Sequence, residues 1–124
     1  MTTLKIGIAS YEDMKARTLA IARGELRPGP DEPRVWFTST ESFAKVMSAG
    51  NRDLLDLIAR HHPGSLDELA RVSGRAKSNL SRTLKRMAGF GLVTLDRGER
   101  GRLVPKVAYD RVVLELPLHR TAAE

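Results

Sequence analysis

The spacing of apolar and polar positions changes period several times along the chain, and each change marks an element. Leu4, Ile6 and Ile8 alternate with Lys5, Gly7 and Ala9, the period-two pattern of a short strand. Ser10, with Asp13 three positions on, offers a cap to a helix over residues 11–23, which Gly24 stops. Met14, Leu19, Ala20, Ile21 and Ala22 give this helix a broad, weakly defined apolar side. GELRPGPDEP follows, and its three prolines and two glycines predict a loop. Val35-Trp36-Phe37 reads as a second strand. Thr38-x-x-Glu41 is a capping box opening a helix over residues 39–47, with Phe43, Val46 and Met47 turned inward. Ser48 or Asn51 caps the next helix, which carries Leu54, Leu55, Ile58 and Ala59 and ends at His61-His62-Pro63-Gly64.

Residues 65–93 organise what surrounds them. Ser65-x-x-Glu68 is a further capping box, Leu66, Leu69 and Ala70 repeat at helical spacing, and Gly74 supplies a turn. A second helix starts near Ala76 and ends at Gly89 or Gly91. At 100° per residue, Ala76, Leu80, Leu84, Met87 and Ala88 share one side. Arg75, Ser78, Arg82, Lys85 and Arg86 share the other, with Ser81 at its edge. No acidic residue lies between Glu68 and Asp96. An ordinary solvated face mixes signs and gains i,i+4 pairs; this one does not. A short capped helix, a glycine turn and a helix with an acid-free basic front form a helix-turn-helix pattern.

After Gly91 the period returns to two. Residues 92–95 read as a strand, residues 96–102 as a turn with two glycines, and residues 103–107 as a return strand whose Pro105 demands an edge or a bulge. A hairpin directly after a recognition helix is a wing, with Arg97, Arg100 and Arg102 at its tip. Residues 111–116 form a last strand ended by Pro117, and LHRTAAE reads as a frayed tail.

Charge sharpens this picture. The chain has 124 residues and a net charge of +6. Residues 71–106 hold ten Lys and Arg against two acids, a net of +8, which leaves −2 for the remainder. A basic block on a near-neutral carrier is the footprint of a polyanion-binding face. The absence of cysteine excludes thiol nucleophiles, disulfides and thiolate zinc. No apolar run has the length of a membrane span, and the N-terminal MTTLKIGIASYEDM has no signal-peptide pattern, so a cytoplasmic location is expected.

Other chemistry finds little support. His61, His62 and His119 lack metal-ligand spacing, and helix-end histidines facing solvent are the simpler reading. No serine sits in G-x-S-x-G, and Gly98–Gly101 is not a phosphate loop. Trp36 and Phe37 suit a core pair better than a stacking platform for bases. No acid, base and nucleophile set converges, so no enzyme, cofactor or metal is expected.

The run SLDELARVSGRAKSNLSRTLKRMAGFGLV, followed by a hairpin and PKVAYDRVVLEL, resembles a MarR-like winged-helix transcriptional regulator. It is similar above all to a small prokaryotic group of predicted regulators that includes TumA-like antitoxins. The motifs of that group stand here at residues 36–41 (W-F-x-S/T-x-E), 51–55 (N-R-x-L-L), 65–70 (S-x-x-E-L-A), 79–84 (N-x-S-R-x-L) and 91–93 (G-L-V). The resemblance spans roughly residues 4–116. It implies a sequence-specific DNA-binding homodimer and, for members encoded beside a toxin gene, an antitoxin that autoregulates its operon. The long terminal helices that carry the dimer interface and ligand pocket of ordinary MarR proteins are missing, so small-molecule sensing is not carried over.

The sequence thus predicts an α+β fold, a winged helix-turn-helix with an N-terminal β-α-β extension. Residues 1–38 would form a strand-helix-strand dimerisation element, residues 39–109 the DNA-binding domain, and residues 110–124 a final strand and tail. The expected partners are double-stranded DNA, a second copy of the chain and, in the alternative reading, a toxin protein bound by the extension. RNA binding is a weaker rival, because the basic face lacks aromatic stacking residues. The candidate DNA-binding residues are Arg75, Lys77, Ser78, Asn79, Ser81, Arg82, Lys85, Arg86, Arg97, Arg100 and Arg102. Arg75 and Lys77 would hold the DNA backbone, and Arg82 is the best candidate for base readout. The first and last strands, both alternating, are expected to pair and to build the dimer together with the helix over residues 11–23.

Overall fold

β1 (Thr3–Ile8) is the central strand of a three-stranded sheet in a computed structural model of the chain, which describes residues 2–118. The protein is α+β and divides into two compact units. One contains Thr3–Phe43 and residues 111–118; the other contains Thr2 and Ala44–Asp110. The last strand lies in the same unit as the N-terminal segment, paired with β1 as their shared alternation suggested. His119 and the rest of the expected tail lie outside the described residues.

In the first unit, β1 is flanked by β2 (Val35–Phe37) and β5 (Arg111–Glu115), both parallel to it. The register sets Leu4 beside Val112 and Ile6 beside both Leu114 and Val35, so the apolar alternation of all three strands falls on one face. Leu4, Ile6 and Phe37 are buried, and Phe43 meets Phe37 edge-to-face with ring centroids 5.6 Å apart. On the opposite face Gly7 lies beneath Trp36. A Cβ at Gly7 would stand 2.5 Å from the indole ring, so the position requires glycine.

α1 (Tyr11–Ala22) connects β1 to β2. Ser10 Oγ accepts the Asp13 N–H at 3.1 Å, as the spacing predicted, and Glu12 and Asp13 place negative charge at the positive helix end. The apolar side expected of this helix stays open: none of its residues is buried, and Tyr11, Leu19 and Ile21 are exposed. It is held by Arg17, whose guanidinium lies 5.5 Å from the centre of the Trp36 ring and pairs with Glu32.

α2 (Thr40–Val46) begins one residue later than the capping box suggested. Ser39, not Thr38, accepts the N–H of Ser42, at 3.1 Å. In the second unit α3 (Ala49–His61) is capped by Ser48, whose Oγ accepts the Asn51 N–H. The Asn51 side chain instead donates to Val46 O. α4 (Leu66–Ser73) is capped by Ser65 Oγ on the Glu68 N–H. Glu68 reaches back one residue further than a standard capping box and accepts from the Gly64 N–H at 2.9 Å. Gly74 then takes a left-handed φ of 75° and turns the chain into α5 (Lys77–Gly89).

β3 (Val93–Arg97) and β4 (Leu103–Val107) form an antiparallel hairpin, with β3 packed on α5 and β4 on α3 and α4. In a two-stranded hairpin both strands are edges, which accommodates Pro105 opposite Leu95. Leu54, Ile58, Leu66, Leu69, Leu80, Leu84, Met87, Leu92 and Val93 are buried, whereas Ala59 and Ala76, expected on apolar sides, are exposed. Ser65 is both a cap and a buried hydroxyl. Ser65→Ala is expected to cost about 1 kcal/mol and lower the melting temperature by a few degrees. Thermal denaturation checks this, and an unchanged melting point would deny the cap any weight.

Candidate nucleic-acid interface

The buried side of α5 consists of Leu80, Leu84 and Met87. By helical geometry the opposite side carries Ser78, Arg82, Lys85 and Gly89, with Asn79 and Arg86 on one flank and Ser81 on the other. Ser78, Asn79, Arg82, Lys85 and Arg86 are exposed and Ser81 is half-buried, so burial sorts the helix much as its periodicity predicted. Gly89, which sequence reasoning passed over as a helix stop, lies in the middle of this face and leaves its C-terminal end bare of side chain.

Charge on this face is uncompensated. Five ion pairs occur among the described residues, and none involves Arg82, Lys85 or Arg86. Two of the candidate cations are engaged elsewhere. Lys77 Nζ pairs with Asp67 on α4 at 3.1 Å. Arg75, half-buried, donates to Gly50 O at 2.8 Å and to Asn51 Oδ1 at 3.3 Å, tying the turn before α5 to the start of α3. Arg75 therefore positions the start of α5 against α3, whereas the Lys77–Asp67 pair is exposed on both sides and adds little to the packing.

At the hairpin tip Glu99–Gly101 form a kinked 3₁₀ segment in which the Gly101 N–H donates to Gly98 O at 3.2 Å, and the Gly98 N–H donates to Arg102 O at 2.7 Å to close the loop. Arg100 adopts a left-handed φ of 59°, a costly conformation for a residue with a Cβ. Arg97, Arg100 and Arg102 are all exposed. Of the two acids near them, Asp96 pairs with Lys106 at 3.4 Å, and Glu99 makes no ion pair among the described residues. Arg102 also faces an open cleft lined by Ser65, Asp67, Glu68, Ala70 and Arg71 of α4 and its cap, a neighbourhood the sequence did not suggest.

The titration shifts lie away from this surface, on α3. A hydrogen bond from Arg60 holds the Asp56 carboxyl below its usual range, and Asp56 raises Arg60 in return. His62 ends α3 in a left-handed conformation and is exposed. Among the described residues no three His, Asp or Glu side chains group as metal ligands would, and no helix is long and apolar enough to cross a membrane.

The second unit is thus a three-helix and hairpin structure with an unneutralised basic surface on α5 and at the hairpin tip. Over residues 46–114 the chain matches the model of the HVO_A0114 family, and it belongs to that family. The matched span contains every residue of this surface. No curated protein and no solved structure matches the chain.

Proposed function

We propose that the protein is a sequence-specific, double-stranded DNA-binding transcriptional regulator of the winged helix-turn-helix class, acting in the cytoplasm as a homodimeric repressor. One observation carries this reading: Arg82, Lys85 and Arg86 stand exposed and unpaired on the side of α5 opposite its buried residues. α4, the Gly74 turn and α5 are the helix-turn-helix, and α5 enters the major groove. Arg82, near the centre of the exposed face, has the fork geometry to bond guanine O6 and N7 together. Ser78, Asn79, Ser81 and Lys85 surround it and reach base edges or phosphates. The β3–β4 hairpin is the wing, and its three arginines contact phosphates or the adjacent minor groove.

The pairing of Lys77 with Asp67 and of Arg75 with α3 changes one part of this reading. Arg75 holds the start of α5 in place and acts on DNA indirectly, while Lys77 is partly neutralised by Asp67. DNase footprinting on the promoter region upstream of the protein's own gene is the direct test. Protection of an inverted repeat, with half-sites about one helical turn apart, is the expected result for a two-fold dimer. Equal coverage of all sequences would reduce the protein to a non-specific binder.

A further inference from the structure

The three-stranded sheet has two edges, and they differ. β2 is three residues long and follows Pro33 closely, which blunts it. β5 runs for five residues without proline, and no second strand pairs with it among the described residues. Its sequence, Arg-Val-Val-Leu-Glu, is self-complementary about Val113. Turned antiparallel against a copy of itself, it sets Arg111 opposite the partner's Glu115 at each end. Val112 then faces the partner's Leu114, and Val113 faces the partner's Val113.

We propose that β5 joins two copies of this chain edge to edge, through an antiparallel ladder centred on Val113. The two sheets then become one of six strands, and the two-fold axis passes between the central valines. The charge order of the strand favours this occupant, since the two end pairs are Arg with Glu only when the partner is the same strand in this register. A shift of two residues sets both charges against apolar side chains. Arg111 and Glu115 are exposed, and Val113 is 38% exposed. Pro117 limits the ladder at both ends by symmetry. Parallel sheets are normally covered on both faces. In the single chain α1 buries none of its own residues, and Leu19 and Ile21 stay exposed. This surface supplies the dimer that the DNA-binding reading calls for, yet it is tested without DNA, so either can fail alone.

The chain contains no cysteine, which makes Val113→Cys a clean probe. Directly opposed residues of an antiparallel ladder have Cα atoms about 4.5–5.5 Å apart, within disulfide range. Oxidation with copper–phenanthroline in air should convert V113C to a covalent dimer on non-reducing gels. Val72→Cys, on the exposed side of α4, should remain monomeric. In sedimentation equilibrium the native chain should dimerise at tens of micromolar. Arg111→Glu or Glu115→Arg creates two like-charge pairs per dimer and should weaken association about tenfold. The double swap R111E/E115R should restore it. Within its own chain that swap leaves Lys5, which pairs with Glu115 at 3.7 Å, facing an arginine, so a purely internal role for these residues predicts no recovery. A dimer whose V113C form does not cross-link overturns the proposal. So does a monomeric native chain, which would leave the edge to a strand of some other protein.

Discussion

Under the proposed DNA-binding function, raising salt from about 50 to 200 mM should cut affinity for an operator by about 10³–10⁵, the expected loss when 6–10 phosphates are neutralised. In the proposed dimer, the three arginines of the hairpin tip and the α5 cations, counted twice, are enough to reach that number. Each phosphate contact contributes about 0.9 to the slope of log K against log salt. Replacing Arg100 and Arg102 by alanine removes two exposed cations from each subunit and should flatten the slope by as much as about 4. All DNA sequences should weaken about alike, since phosphate contacts carry no base identity. Fluorescence anisotropy at several salt concentrations measures this. An unchanged slope in the double variant would mean that the hairpin tip does not touch DNA. The left-handed conformation of Arg100 gives an internal control: alanine keeps the backbone strain, so the melting temperature should move little.

Arg82→Ala should weaken operator binding by about 1–3 kcal/mol and relax the preference at one base pair of each half-site. The residue stands on the face directed away from Leu80 and Leu84 and makes no ion pair, so its loss leaves the packing of α5 intact. The comparison that matters is operator against scrambled DNA. An equal loss on both would make Arg82 a phosphate contact, and no loss on either would remove it from the interface. Arg75→Ala should behave differently. It breaks the bonds to Gly50 and Asn51, so it should lower thermal stability together with DNA affinity.

The elements were legible wherever the signal is local. Ser10 and Ser65 each bond an amide three residues on, a contact that spacing alone reveals, whereas Ser48 and Asn51 both fitted the start of α3 and only the structure selects Ser48. The buried stripe of α5 follows from its period in the same way. The choice of Ser39 over Thr38 was not legible, because two adjacent hydroxyls offer the same spacing and only the packing of α2 separates them. The basic face was legible as a charge pattern but not residue by residue. Arg75 and Lys77 are drawn off by partners 24 and 10 positions away, and those contacts exist only once the helices have packed. The pairing of the first and last strands was anticipated from their matching alternation. Its parallel direction, and the edge it leaves on β5, depend on tertiary arrangement.

In the proposed function the exposed side of α5 and the tip of the hairpin together contact DNA. Backbone amide resonances of the labelled protein, followed while operator DNA is added, address it most directly. The largest shifts should fall on residues 76–90 and 97–102, centred on Ser78, Arg82 and Lys85. Saturating shifts confined to α1, α3 or the three-stranded sheet, with α5 unmoved, would contradict it.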